Sequence, residues 1–98
     1  MKPKITEEYR SLFEAIISLN TIDECEAFFD DICTIKELQD LSQRLTVAKM
    51  LHAGDKYQTI EANTGVSTAT ISRVNKCLNY GSGGYRAVLA RLDGDKAD

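Results

Sequence analysis

The chain has 98 residues, 28% of them charged, and a formal net charge of −3 at pH 7. This length supports one modest hydrophobic core and is too short for a two-domain enzyme, so we expect a single domain over residues 1–98. Three cysteines without a Cys-x-x-Cys pair and a single histidine argue against a metal site and a disulfide framework, and no set of catalytic residues is recognisable, so we do not expect an enzyme.

The start of the chain has no feature of an export signal. Met1 to Lys4 lead directly into an amphipathic segment, without the apolar core of a secretory signal peptide. No apolar run approaches the ~20 residues that a membrane span needs. We therefore expect a cytoplasmic protein with no membrane partner, whose cysteines are free thiols.

The first half of the chain predicts three amphipathic helices. Residues 6–19 and 22–32 each place apolar side chains on one stripe, and a third helix follows over Ile35–His52. The third helix spreads its apolar side chains over about 180°, wider than the ~100° stripe of a surface helix, which indicates cover from two sides. We interpret residues 1–53 as dimerisation helices; the alternative is a monomer with a crowded core.

Two threonine–glutamate pairs predict where the second and third helices begin. Thr21 with Glu24, and Thr34 with Glu37, have the spacing of a capping box. In that motif the threonine hydroxyl and the glutamate carboxylate each accept a hydrogen bond from a backbone N–H of the first turn. Both pairs therefore predict well-defined helix starts.

Residues 56–79 predict a helix-turn-helix. Gly65 lies between two short helical segments, and glycine allows the tight reversal because it adopts positive φ at little cost. Ser67 is the expected N-cap of the second helix. On that helix Ile71, Val74 and Leu78 fall within an arc of roughly 60°, which predicts a buried side.

The opposite side of this second helix carries small, hydroxylic and basic residues: Ala69, Ser72, Arg73 and Lys76. A face of this kind brings a helix close to base edges in a DNA major groove, while Arg and Lys reach guanines or phosphates. We predict sequence-specific binding to double-stranded operator DNA. The alternative is a helical protein-interaction module whose basic residues merely face water.

The charge distribution along the chain favours DNA binding. Residues 1–55 carry six basic and eleven acidic side chains, whereas residues 56–91 carry five basic side chains against Glu61 alone. Electrostatic attraction acts over about 10 Å in salt. A locally basic surface therefore attracts phosphate although the net charge of the whole chain is negative.

A turn at Gly81–Gly84 precedes the last predicted helix, residues 82–93. Tyr85, Val88 and Leu89 are among the apolar residues of this helix. We expect the chain to fray from Gly94 onward.

Arg44 interrupts the apolar arc of the third helix. A guanidinium in that position needs a partner, because an unpaired buried charge is costly. Two interpretations stay open: an ion pair with Asp40 one turn earlier, or a bidentate contact with the carboxylate of a ligand.

The stretch from Thr34 to Leu78 resembles the tryptophan repressor family, and most closely its repressor-like branch of Gram-positive bacteria (YerC/YecD-like). The resemblance is carried by Thr34-Ile-Lys-Glu, Leu41-Ser-Gln-Arg44, the stop at Gly54, and Gly65-Val-Ser-Thr-Ala-Thr-Ile-Ser-Arg73. It implies an all-α, six-helix chain with a helix-turn-helix that forms an intertwined homodimer, binds operator DNA and acts as a repressor.

Positions of the family motif imply roles for individual residues. Thr34 and Arg44 would contact the carboxylate of an amino-acid corepressor, Arg73 would stack on an indole ring, and Cys77 would lie near the ligand. Thr68, Ala69 and Ser72 would approach bases. On charge and motif position we choose Lys56, Gln58, Thr59 and Lys76 for the phosphates, and the predicted DNA-binding set also includes Ser67, Thr70 and Arg73.

The identity of any corepressor stays open. Tryptophan-binding members have glycine after the arginine that corresponds to Arg73, whereas this chain has Val74, whose methyl groups would narrow the space for an indole. Cys77 also replaces a serine hydroxyl. The cofactor is therefore unknown, and DNA binding without any effector is favoured over control by L-tryptophan or another small amino-acid-like ligand.

Overall fold

The computed structural model describes residues 7–97, and the side chains of residues 7–94, as six α-helices without a strand. Their bounds are α1 Glu7–Ile17, α2 Ile22–Ile32, α3 Ile35–His52, α4 Tyr57–Thr64, α5 Thr68–Tyr80 and α6 Gly84–Ala97. The predicted all-α class and the bounds of the third helix are confirmed. Within residues 7–97, none of the helices has both the length and the apolar character that crossing a lipid bilayer requires.

The chain divides into two compact units, Met1–Leu38 and Gln39–Asp98. The first contains α1, α2 and the beginning of α3, and the second contains the rest of the chain. The division between the units falls inside α3. It differs from the predicted boundary near residue 53, which separates the dimerisation helices from the helix-turn-helix.

The predicted helix starts are formed, one of them with a different partner. Thr34 Oγ1 accepts from Glu37 N at 3.1 Å, and Glu37 Oε1 accepts from Thr34 N at 2.8 Å, which is the complete reciprocal box. Thr21 Oγ1 accepts from Glu24 N at 3.1 Å. The predicted donor to the Glu24 carboxylate was wrong: Glu24 Oε1 accepts from Asn20 N at 2.8 Å instead of from Thr21 N.

The helices of the first unit expose their apolar stripes. No residue of α1 or α2 is buried. Phe13 is 42% exposed, and Ile17 and Ile22 are 80% and 77% exposed. Phe28 and Phe29 pack edge to face with ring centroids 5.5 Å apart. The folded chain therefore leaves the apolar stripes of this unit largely uncovered.

The second unit contains the hydrophobic core. Its buried side chains come from α3, α4, α5, α6 and the turn before α5: Val47, Ala48, Ile60, Val66, Ile71, Val74, Leu78 and Leu89. Leu45, Met50, Leu51, Tyr57 and Tyr85 are partly buried against this cluster. The core thus fixes the helix-turn-helix onto the C-terminal half of α3 and onto α6.

The turn between α4 and α5 has the predicted chemistry. Gly65 ends α4 at φ 73°, in the left-handed region that side chains with a Cβ rarely adopt. Ser67 then caps α5, its hydroxyl accepting from Thr70 N at 3.3 Å. This chemistry determines where α5 begins, and therefore which residues occupy its first turn.

The predicted bounds of two helices were wrong. α1 ends at Ile17 instead of residue 19, with the Ser18 hydroxyl donating to Ala15 O at 2.6 Å; the predicted first residue, 6, lies outside the described range. α6 begins at Gly84 instead of residue 82 and continues through Gly94 to Ala97 instead of ending at residue 93. One interior glycine costs only about 1 kcal/mol, which is too little to end a helix.

Candidate nucleic-acid interface

The outward face of α5 is accessible in the folded chain. Ala69, Ser72, Arg73 and Lys76, which we call the outward face, are all exposed. On the other side Ile71 is fully buried, and Val74 and Leu78 are nearly so. The orientation that the periodicity predicted for α5 is therefore confirmed, and a short, basic, convex surface faces away from the core.

The remaining predicted DNA-binding residues include exposed side chains at the starts of two helices. Lys56, Gln58 and Thr59 are exposed at the start of α4, and Lys56 is its N-cap residue without a side-chain capping bond. Thr68 is exposed in the first turn of α5. Both helix starts therefore carry accessible polar side chains.

Two hydroxyls of the set are engaged locally. Ser67 Oγ accepts from Thr70 N and lies 3.2 Å from Thr70 Oγ1, to which it donates. Thr70 is half-buried, whereas Ser67 is exposed. These two residues therefore shape the first turn of α5.

A cavity of about 370 Å³ adjoins the outward face. It is lined by α3, the turn and α5: Asp40, Gln43, Arg44, Gly65, Val66, Ser67, Thr70 and Arg73. Arg44 and Arg73 come from different helices and line the same cavity, as the ligand hypothesis requires. Asp40 lines the cavity as well, so its lining is compatible both with an ion pair between Arg44 and Asp40 and with a contact between Arg44 and a ligand.

The burial of Arg44 is not reached within one chain. Its side chain is exposed, although the helical angle placed it inside the apolar arc of α3. Only Val47 and Ala48 of this helix are buried, because the core of the second unit covers a narrower part of α3 than the apolar arc suggested. The guanidinium is therefore not desolvated in the single chain, and the cover expected from a second copy stays a prediction.

Thr34, Val74 and Cys77 do not line this cavity. Thr34 belongs to the first unit, where its hydroxyl caps α3. Val74 is 4% exposed and packs in the core. Cys77 is half-buried on α5. The roles that the resemblance gave to Thr34 and Cys77 remain predictions.

Tyr85 is a residue of this region that the sequence did not single out for a site. Burial raises the pKa of its hydroxyl above the ordinary value of 10.0; the nearby Cys77 sulfur raises the pKa further, and the charge of Arg44 opposes both. Its contacts therefore connect α6 electrostatically with α3 and α5. In the sequence Tyr85 was one apolar member of an amphipathic helix, which gave no sign of this environment.

Within residues 7–97, no group of three or more His, Cys, Asp or Glu side chains is arranged to hold a metal ion. Besides the carboxylate of Asp40, the polar groups that line the cavity are guanidinium, hydroxyl and amide groups. These are donors suited to phosphate and carboxylate oxygens.

Comparison with known proteins determines the family. The family model of the Trp repressor protein matches residues 7–93, which include all but the last few residues of α6. The chain belongs to the Trp repressor family. Its helix-turn-helix is thereby the DNA-binding element of a transcription regulator.

Individual relatives place the chain in the YerC-like branch. YerC of Bacillus subtilis (strain 168), an uncharacterized protein, is 55% identical over 86 residues, which are 88% of this chain and 83% of YerC. A solved TrpR-like protein from Eubacterium eligens ATCC 27750 matches with a TM-score of 0.86 at 53% identity, covering 90% of this chain and 91% of that chain. A solved chain from Staphylococcus aureus, proposed to be a Trp repressor, gives 0.86 at 48% identity, with 91% and 89% covered.

Proposed function

We propose that this protein is a homodimeric repressor that binds a two-fold operator through the outward face of α5. The observation that carries the proposal is the accessibility of that face: its Arg and Lys side chains are exposed, while the other side of the helix fills the core. Small side chains at Ala69 and Ser72 permit close approach to base edges. Arg73 and Lys76 supply charge for guanines or phosphates.

The proposed dimer accounts for the uncovered apolar stripes of the first unit. Tyr9, Leu12, Phe13, Ile17 and Ile22 are each between 37% and 80% exposed. A concentration of exposed large apolar side chains marks an interaction site. A second copy of the chain is the proposed cover, because two copies would present two α5 helices to the two halves of an operator, about one DNA turn apart.

The test is selection of operator DNA from a random pool with the purified full chain, followed by binding measurements over a salt series. We expect log affinity to fall with log salt by about 0.9 for each phosphate contacted. Arg73→Ala and Lys76→Ala should each weaken operator binding, by about tenfold, since each removes a charged contact.

Arg91→Ala is the matched control. Arg91 is an exposed basic residue of α6, so its loss changes the net charge equally without altering α5 or the apolar stripe of α1. Binding that shows no sequence preference, or equal losses in all three variants, would contradict operator recognition. If the outward face of α5 were instead occluded in the dimer, the protein-interaction module would be the better description.

Control by a small carboxylate ligand is a second candidate function. It is favoured by the cavity that Arg44 and Arg73 line beside the outward face, since guanidinium groups pair with carboxylates in bidentate fashion. L-tryptophan is the first ligand to try, and other amino acids follow. Operator affinity that is unchanged by these compounds would support DNA binding without an effector.

Two variants test whether an effect of a ligand on operator affinity depends on this cavity. Arg44→Ala should abolish any ligand effect while leaving ligand-free DNA binding intact. Arg73→Ala should abolish the ligand effect as well but should also weaken ligand-free binding, because Arg73 belongs to the outward face. Retention of the ligand effect in Arg44→Ala would contradict the proposed role of Arg44.

A further inference from the structure

A chain of polar side chains connects α6 with one flank of α5. Arg86 Nη2 donates to Asn79 Oδ1 at 2.8 Å. Asn79 Nδ2 in turn donates to the backbone oxygen and to Oδ1 of Asn75, each at 3.0 Å. The two asparagines lie one helical turn apart, and Arg86 therefore lies beside α5 in a defined orientation.

The flank that receives Arg86 borders the outward face. At about 100° per residue, Asn79 lies within roughly 60° of both Ser72 and Lys76 around the helix axis. Asn79 and Arg86 are exposed, whereas Asn75 is half-buried. The guanidinium consequently stands at the edge of the surface proposed to meet DNA, although it belongs to a different helix.

We propose that Arg86 is a further DNA contact of this protein, binding a backbone phosphate, and that Asn79 is its positioning residue. This inference rests on the proposed function and extends the contact surface from α5 to α6. The partner atom is a phosphate oxygen because Arg86 flanks the outward face, while the side chains at the centre of that face approach the bases.

The chemistry of the acceptor supports a binding role for Arg86. Asn79 accepts through a neutral amide oxygen, so the hydrogen bond orients the guanidinium without neutralising its charge. Arginine carries five N–H donors, and the bond to Asn79 uses one nitrogen, which leaves donors for an anion. Holding the side chain in place before binding reduces the entropy lost when it meets phosphate.

The charges of the helix-turn-helix favour an anion at this position. Within residues 56–92, Glu61 on α4 is the one acidic residue, and Asp93, two turns beyond Arg86 on α6, lies 2.9 Å from His52 Nε2 through its Oδ2. The packing of α6 against the core is supplied by Leu89, which is buried, and Tyr85, which is partly buried. Arg86 is therefore not needed to cover apolar surface.

The experiment compares Arg86→Gln and Arg86→Ala with Arg91→Gln, each in the full chain. Glutamine keeps an amide donor for Asn79 but removes the charge, so it separates phosphate binding from a purely structural link. Arg91 is an exposed arginine of the same helix, about 140° around its axis from Arg86, and is the matched control. Affinity for the selected operator is measured by fluorescence anisotropy across a salt series, with thermal unfolding of each variant recorded in parallel.

We expect both Arg86 variants to reduce the slope of log affinity against log salt concentration by about 0.9 for each copy bound. Both should also weaken operator binding about tenfold at low salt. Arg91→Gln should leave the slope unchanged. Asn79→Ala should keep the slope, because the charge remains, and should weaken binding only about threefold through lost orientation.

The failures are distinguishable. If the wild-type protein binds DNA without salt dependence, the proposed function fails. The role of Arg86 is overturned, while the proposed function stands, if Arg86→Gln shows the same salt dependence as the wild type. The same conclusion follows if Arg86→Gln and Arg91→Gln lose operator affinity equally.

Discussion

The two compact units of this chain use the same kind of amphipathic helix with opposite results. In the second unit, eight aliphatic side chains from four helices and a turn are buried together. In the first unit, α1 and α2 bury none of theirs, although their stripes are at least as apolar. A stripe of apolar residues therefore identifies a surface that needs cover, but does not say which chain supplies it.

Charge follows a similar contrast. Acidic side chains concentrate in residues 1–55, and basic ones outnumber them strongly in residues 56–91. Acidic residues near a DNA contact would repel phosphate, and α5 itself carries none. One part is thus suited to association with protein and the other to contact with nucleic acid.

Ile71→Ala gives the largest expected effect, because it tests the part with a closed core. Ile71 is fully buried between α5 and the rest of the second unit. Removing its side chain should lower the free energy of unfolding by about 2–5 kcal/mol, measured by urea denaturation. Tyr80→Ala, at a residue 85% exposed, is the control and should change it by less than about 0.5 kcal/mol. Similar losses in both variants would show that the core does not hold α5.

Phe13→Asp tests the uncovered stripe of α1. If a second copy covers this stripe, a carboxylate there should weaken the dimer by about 2–3 kcal/mol or more, because the ring leaves an apolar site and a charge enters it. Sedimentation velocity should then show monomers at concentrations where the wild type is dimeric. Ser11→Asp places the same charge on the opposite side of α1 and should leave the dimer intact. A wild-type chain that sediments as a monomer would show that no second copy covers the stripe of α1.

Gly65→Ala and Gly84→Ala test whether backbone conformation positions the outward face. Gly65 adopts φ 73°, so alanine there should cost about 1–2 kcal/mol of stability and should weaken operator binding. Gly84 has no positive φ, and a Cβ there meets no atom within 4 Å. Alanine at Gly84 should therefore be neutral or slightly stabilising. Equal melting temperatures for the two variants would contradict the proposed strain.

The smallest expected effect concerns Tyr85 and alkaline pH. Because burial raises the pKa of this phenol in the folded state, the folded chain holds the proton more tightly than the unfolded chain. Its contribution to stability is fully present below pH about 10 and is lost as the pH rises through the folded pKa. Urea denaturation between pH 8 and 11 should show a shallower loss in Tyr85→Phe than in Tyr80→Phe. Identical pH profiles would contradict the assignment.

Local features of the fold could be predicted because their causes are local. The bounds of α3, the glycine at the end of α4 and the cap of α5 depend on residues within four positions of one another. The reciprocal box of Thr34 and Glu37 formed as predicted for the same reason. Where a close competitor existed, as with Asn20 in place of Thr21, the motif alone could not choose between neighbouring N–H groups.

The candidate site was predicted only in part. The outward face followed from helical periodicity, and Arg44 and Arg73 do line one cavity. The exposure of Arg44 did not follow, because it depends on how much of α3 the other helices cover. Contacts across long sequence separations, such as His52 Nε2 with Asp93 Oδ2 at 2.9 Å, leave no pattern in the sequence at all.

The sequence by itself determined six helices, the N-cap residues of α2, α3 and α5, the turn at Gly65 and a basic, acid-free face on α5, since propensity, capping and periodicity act between near neighbours. Only the tertiary structure decided which apolar stripes the chain covers, which side chains share the cavity beside α5, and that Arg86 reaches Asn79 from another helix. These depend on the packing of distant segments, where small differences in burial and crossing geometry select one arrangement among many with the same local pattern.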